Sequence, residues 1–225
     1  MSETVQLPRP IPLGGSVYGV LLKRIMSLEI LPGERISVDK LARELGISQT
    51  PIREALGHLE AQGLVVKIHL SGYRAAPQLT RAQFDDLSEL RLLLEPATAA
   101  KAAARMSAEE LDEIVTLAGR LEEQALQRDR LAYSAYNAFA YDDARFHSAI
   151  AKASGNQLFH RIINQQWGHL HLFRLSYRAR VTQDALAEHA AIIAAFRDKN
   201  PEAAAAAMRA HIENAHERFK DVFED

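Results

Sequence analysis

Residues 41–65 read LARELGISQTPIREALGHLEAQGLV, and the order of parts in this stretch decides how the rest of the chain is understood. Leu41, Ala42 and Leu45 put an apolar stripe on a short helix. Ser37 can cap its start, and Gly46, which tolerates a left-handed backbone, can close it. After the corner at Gly46-Ile47, Ser48 or Thr50 can cap a second helix, with Pro51 in the first turn where a missing N–H costs nothing. Ile52, Ala55, Leu56 and Leu59 recur at i, i+3, i+4 and i+7, so they face a core and leave Gln49, Thr50, Arg53, Gly57 and His58 on the outer side. Such a pair of helices is a helix-turn-helix if its second helix enters the DNA major groove, where residues near the helix start reach base edges. Arg53 has the fork geometry for a guanine or a phosphate. A plain αα-hairpin is the commoner use of this pattern, and the flanking sequence argues against it.

After Gly63, Leu64-Val65-Val66 and Tyr73-Arg74-Ala75 read as two short strands around Ser71-Gly72, with Lys67, His69 and Arg74 near the tip. A helix-turn-helix followed by such a ribbon is a winged helix. Upstream, Val17, Val20, Leu21, Ile25 and Leu28 set out a helix, and Leu31-Pro32-Gly33-Glu34 is a turn. The expectation is a winged helix-turn-helix domain over residues 14–77 that binds double-stranded DNA through Arg35, Ser48, Gln49, Thr50, Arg53, His69 and Gly72.

The 225 residues leave room for a second core beyond such a domain. Net formal charge is −2, but residues 1–77 hold 9 Lys and Arg against 7 Asp and Glu, while residues 78–225 hold 18 against 22. The bias toward a basic N-terminal part is small, so DNA specificity must come from placed contacts and from pairing two readers. Cysteine is absent, which excludes disulfides and thiolate ligation and leaves His and carboxylate as the available metal ligands. No apolar run approaches a membrane span, and the start, MSETVQLPRPIPLGG, lacks the core of a signal peptide, so a cytoplasmic protein with no membrane partner is expected. Pro8, Pro10, Pro12, Gly14 and Gly15 mark residues 1–13 and the join that follows as a flexible arm.

From Thr80 onward Gly and Pro become sparse, Ala is abundant, and apolar positions recur every three or four residues. Six helices are predicted, over residues 80–105, 107–128, 130–153, 156–180, 182–199 and 201–223. Ser107, Asn156 and Thr182 are candidate caps, Ser154-Gly155 is a stop, and Pro201 can open the last helix. Pro96 deprives the carbonyl of Leu92 of its donor and is expected to bend the first of these helices. The predicted fold class is mainly α: an N-terminal winged helix-turn-helix followed by an all-α six-helix antiparallel bundle over residues 78–225.

Four polar residues fall on apolar faces of that bundle. Asp143 and His147, four apart, share a face with Phe139, Phe146 and Ile150; His189 lies among Leu186, Ile193 and Phe196; His211 lies among Met208, Ile212, Ala215 and Phe219. One inward histidine is more often a hydrogen-bonded core residue than a ligand. An ionised Asp among apolar side chains is costly unless neutralised, however, and a divalent cation with three imidazoles does so. This donor set suits zinc, nickel, iron or manganese. Tyr136, Trp167, Arg174 and Tyr177 are candidates for the wall of such a site, although aromatic stripes at helical spacing are usually core.

These segments resemble the GntR superfamily of bacterial transcription regulators. The match runs over about residues 17–77, where the LPGERIS turn, the LARELGIS helix and the TPIREAL recognition helix stand in the family's order. The chain departs from the family in Gln49, where Arg is usual, and in Ser71, where a basic residue is common; Gln can still read adenine through two hydrogen bonds. Downstream, DDARFH, SGNQLF, EHAAIIAAF and MRAHI resemble the FCD ligand-binding domain of FadR-type members, over about residues 80–219. The resemblance implies a homodimer on an inverted-repeat operator, Asp143, His147, His189 and His211 as ligands of a divalent metal ion such as zinc or nickel, and Arg91 in SELRLLLEP as the group that binds a small carboxylate effector. Arg91 shares a helix face with Leu87 and Leu94, and an inward guanidinium needs an anion. An internal salt bridge to Glu95 or Asp143 is the alternative.

The function expected is that of a metabolite-responsive transcription repressor and not of an enzyme. Three rivals are a metal-free sensor of a large, acyl-CoA-like ligand, a purely structural ion, and a metalloenzyme in which open coordination positions activate water. The four-ligand set argues against the first, and the appended DNA reader against the last.

Overall fold

The computed structural model describes residues 16–126, 132–166, 168–175 and 181–223. The arm expected over residues 1–13 lies outside the described residues, as do Trp167, Tyr177 and the side chain of Tyr136. The chain forms two compact units, the first ending at Ala76 and the second beginning at Pro77.

In the first unit α1 (Val17–Met26), β1 (Arg35–Ile36), α2 (Val38–Leu45), α3 (Gln49–Ala61), β2 (Val65–Ile68) and β3 (Gly72–Ala75) follow one another. The strands form one antiparallel sheet in the order β1-β3-β2. Ser37 caps α2 by accepting a hydrogen bond from the N–H of Lys40 at 3.2 Å, and Gly46 closes it at φ 66°. That left-handed residue reverses the chain tightly enough for α3 to begin at Gln49. Ile52, Ala55, Leu56 and Leu59 are buried, as their spacing predicts.

Two features of this unit differ from the sequence reading. The buried face of α1 is Tyr18, Leu21, Leu22, Ile25 and Met26, whereas Val17 and Val20 are only half-buried. The helix stops at Met26 and Leu28 lies beyond it at φ 57°, so a stripe drawn through Leu28 carries the wrong phase. Tyr18 fits inward because its hydroxyl donates to Gln62 Oε1 at 2.9 Å. The third strand, β1, is the other difference. Two residues are too short to show alternation, and β1 is specified by pairing with β3, Arg35 opposite Arg74 and Ile36 opposite Tyr73.

The second unit is helical: α4 (Arg81–Arg105), α5 (Ala108–Leu126), α6 (Ala132–Ala153), α7 (Gln157–Gln166), α8 (Gly168–Leu175), α9 (Val181–Arg197) and α10 (Pro201–Lys220), followed by a 3₁₀ turn, Asp221–Phe223. The predicted helix over residues 156–180 corresponds to α7 and α8. Thr182 lies inside α9 instead of capping it. Thr80 and Gln83 form a reciprocal capping box at the start of α4. That helix runs through Pro96 as one element. Asn156 caps α7 through the N–H groups of Leu158 and Phe159, and Asn200 caps α10 through that of Ala203.

Helix α10 packs along α4 and α9, α5 along α6 and α9, and α6 also meets α4, α7 and α8. Phe84, Phe139, Phe146, Ile192, Phe196 and Met208 fill the interior. Among the described residues no helix is long and apolar enough to cross a membrane.

Leu56 is fully buried on α3, which packs against α1. Its replacement by Ala lowers the stability of the first unit by about 2–5 kcal/mol, read as an earlier urea transition by circular dichroism. An unchanged midpoint contradicts this packing.

Candidate DNA-reading face and metal centre

At the start of α3, Ser48, Gln49, Thr50 and Arg53 are all exposed. Ser48 stands at the N-cap position but its hydroxyl makes no capping bond. Asp39 Oδ1 accepts from Gln49 Nε2 at 2.6 Å, and Gln49 Oε1 accepts from Arg53 Nη2 at 3.1 Å. These surface side chains are therefore lined up by one another before any partner arrives, and Asp39, which orients Gln49, was not apparent from helix periodicity. His69 and Gly72, the latter at φ 85°, stand at the wing turn, and Arg35 lies on the outer strand β1, away from the start of α3 in sequence but exposed like it. Arg74 donates to the Gly33 carbonyl at 3.1 Å, tying the wing to the preceding turn. At the wing tip Leu70 is 96% exposed with φ 59°.

In the helical unit, α6 turns Asp143 and His147 inward with Phe139, Phe146 and Ile150; α9 supplies His189 and α10 supplies His211. All four polar residues are buried, His189 to 1% exposure. The three imidazoles offer nitrogen atoms that lie within 4.8 Å of one another. Asp143 Oδ1 is 3.3 Å from His189 Nε2. Two ligands each about 2.1 Å from one ion lie about 3.0–3.4 Å apart, so this spacing fits a shared cation. The neighbouring Asp142 takes no part: it accepts from Gln124 and Arg145. The i, i+4 relation to His147 selects between the two adjacent aspartates.

Two further carboxylates hold the histidines from behind. Glu95, only 2% exposed, meets His147 Nδ1 with Oε2 at 2.6 Å and Arg91 Nε with Oε1 at 2.6 Å. Glu188 accepts from His211 Nδ1 at 2.8 Å, from Asn214 at 2.9 Å, and from both terminal nitrogens of Arg218 at 2.6 and 2.9 Å. A carboxylate on Nδ1 leaves the Nε2 lone pair for the cluster, the arrangement that a ligating histidine requires. His189 has no such partner: neither ring nitrogen makes a hydrogen bond, and the Asp143 contact has ion-pair distance without hydrogen-bond alignment. Such an imidazole keeps a ring lone pair that a cation could take. Burial, joined by the neighbouring His211, pushes His189 well below the usual imidazole range; burial likewise lowers His211, against the upward pull of Glu188. Burial alone would raise Glu188, yet the hydrogen bonds from His211, Arg218 and Asn214 bring it down to about 2. His189 and His211 are thus biased toward the neutral imidazole, and Glu188 toward the ionised carboxylate.

Arg91 is buried, and in this structure its anion is Glu95. The internal ion pair weighed as the alternative is the one present. The residues buried with it on α4 include Ser88, Glu95 and Thr98, while Leu87 and Leu94, at i−4 and i+3, are half-buried. Glu188 was not apparent from the sequence, although its place beside His189 and across from Arg218 carries the signal in retrospect. Arg174 is fully buried, and burial lowers its guanidinium to about 10. Between α5 and α9 lies a cavity of about 250 Å³ whose wall includes Val115, Gly119, Ile193 and His189, so the imidazole cluster borders a space of small-molecule size.

Comparison with known proteins adds to this geometry. Residues 13–74 match the model of the bacterial regulatory proteins of the gntR family, and residues 86–214 match the FCD domain. The Uxu operon transcriptional regulator of Escherichia coli is 30% identical over 84% of this chain and 79% of its own length. An uncharacterised HTH-type transcriptional regulator of Bacillus subtilis, YdhC, is 28% identical over 99% of this chain and 98% of its own. Among solved structures, E. coli McbR/YncC superposes with a TM-score of 0.69 at 21% identity, covering 91% of this chain and 95% of that one, which speaks to the fold alone. With a helix-turn-helix and wing ahead of a helical domain, and relatives that are transcriptional regulators and not enzymes, the chain belongs to the GntR family of bacterial DNA-binding transcription regulators, in its FCD-bearing, FadR-like branch.

Proposed function

We propose that the protein is a homodimeric, metabolite-responsive repressor. Two winged helices grip an inverted-repeat operator. The helical domain binds a divalent metal ion through Asp143, His147, His189 and His211, and a small carboxylate effector through Arg91. The observation that carries this reading is the meeting of three buried imidazoles from three helices, with Asp143 3.3 Å from one of them. A bound cation would supply Lewis acidity and open positions for the oxygen atoms of an organic acid. Around it, Asp143 balances positive charge, Glu95 and Glu188 orient His147 and His211, and the surrounding phenylalanines exclude water. Arg91 keeps Nη2 free of any hydrogen bond to a described residue while Nε stays on Glu95, so the guanidinium has a donor for a second anion. The domain boundaries follow the reading from sequence: an arm over residues 1–13, a DNA-binding domain over 14–77 and an effector domain over 78–225. Coupling of effector to DNA is expected at about 1–3 kcal/mol, or about 5- to 150-fold in DNA affinity.

Three outcomes are expected. The chelator-stripped protein takes up one Zn2+ or Ni2+ per chain by calorimetry, and His189→Ala abolishes uptake. Organic acids then shift operator binding only in the metal-loaded protein, and Arg91→Ala removes the shift; loss of folding on stripping points to a purely structural ion instead. On the tightest fragment selected from a random-sequence DNA pool, Arg53→Ala weakens binding by about 1–3 kcal/mol, and an unaltered affinity removes Arg53 from the reading face.

The metal-free domain also responds to acid. His189 and His211 titrate below the ordinary value in the folded state. Below about pH 6.5 the unfolded chain therefore binds protons that the folded domain refuses. Stability from this source is flat above that pH and falls below it, by up to about 1.4 kcal/mol per pH unit for each imidazole. Melting temperatures of the stripped protein between about pH 8 and pH 5 check this, and a higher value at the acid end contradicts it.

A further inference from the structure

The carboxylates behind the histidines are held differently. Glu188 is braced by Arg218 and Asn214, both on α10 beside the His211 it supports, and forms a closed clamp. Glu95 instead bridges two helices. One of its oxygens faces His147 Nδ1 at 2.6 Å, the other takes Arg91 Nε at 2.6 Å, and Arg91 Nη2 is buried without a hydrogen bond to any described residue. An unused charged donor stands at one end of this relay and a histidine of the imidazole cluster at the other, with a single carboxylate between them. The relay crosses from α4 to α6.

A carboxylate on Nδ1 holds the imidazole proton there and makes Nε2 the better ligand. The guanidinium draws on the same carboxylate from its other side. A second anion on Arg91 Nη2 shares the guanidinium charge, weakens its pull on Glu95 and so strengthens the hold of Glu95 on the His147 proton. In a dry interior such hydrogen bonds polarise one another. We propose that Glu95 is a positioning residue that couples the two halves of the sensor: it sets His147 for metal ligation and transmits occupancy of Arg91 by an acid to that ligand. This inference rests on the metal-and-acid reading above.

The test is a titration of the chelator-stripped full chain with Zn2+ alone. Glu95→Gln keeps the shape, but the amide oxygen satisfies Arg91 and turns its NH2 toward His147, which favours the tautomer unfit to ligate. The Kd for Zn2+ rises by about 10- to 100-fold. In the Arg91→Ala/Glu95→Gln double variant the two fold-changes fail to multiply, departing from their product by about threefold or more; simple multiplication overturns the relay. A lower melting temperature with an unchanged Zn2+ Kd in Glu95→Gln overturns the inference and leaves the metal reading standing. Failure of the unaltered protein to bind Zn2+ overturns both. Because substitution of a buried carboxylate can unfold the domain, long-range 15N–1H spectra of the unaltered Zn2+-loaded protein give a second measurement. A proton on Nδ1 of His147 with Nε2 bound to metal supports the assignment, and metal on Nδ1 overturns it.

Discussion

The helical domain holds a cluster of carboxylates and imidazoles in an interior built largely of aromatic and aliphatic side chains. An unsatisfied buried polar group costs about 1–3 kcal/mol, and an uncompensated charge costs more. Glu95 answers both His147 and Arg91, and Glu188 answers His211, Asn214 and Arg218. His189, with neither nitrogen in a hydrogen bond, and Arg91 Nη2 are left outside these pairings. The bundle is packed as a fold, while its polar network leaves these groups without a hydrogen bond to a described residue.

Several features of the bundle serve that cluster. α4 carries Arg91 and Glu95 one turn apart, ahead of Pro96. The register of α6 places Asp143 and His147 on the inner face and leaves Asp142 to Gln124 and Arg145. α9 and α10 pack against each other, which brings His189 and His211 to a ring separation of 4.7 Å. In the winged unit the polar residues are organised on the surface instead. Asp39, Gln49 and Arg53 form a short chain of exposed hydrogen bonds at the start of α3.

The helix-turn-helix was legible in detail because its signals are local. Ser37 and Gly46 bound α2 through backbone chemistry within one turn, and the spacing of Ile52, Ala55, Leu56 and Leu59 sets the buried face of α3. β1 was hidden, since its two residues acquire strand geometry only by pairing with β3, some forty residues away in the chain. The face of α1 was misphased for a related reason. Tyr18 is buried through a hydroxyl bond to Gln62, a partner that no periodicity within α1 reveals.

In the helical domain the sequence by itself determined which side chains turn inward, because the angular period of a helix assigns Asp143, His147, His189 and His211 to apolar stripes whatever the stripes meet. Only tertiary structure decided what those groups touch. Helix periodicity carries no information on axial offset between helices, and it is that offset which puts Glu95 against His147, Glu188 against His211, and Arg91 in an internal ion pair with a spare donor.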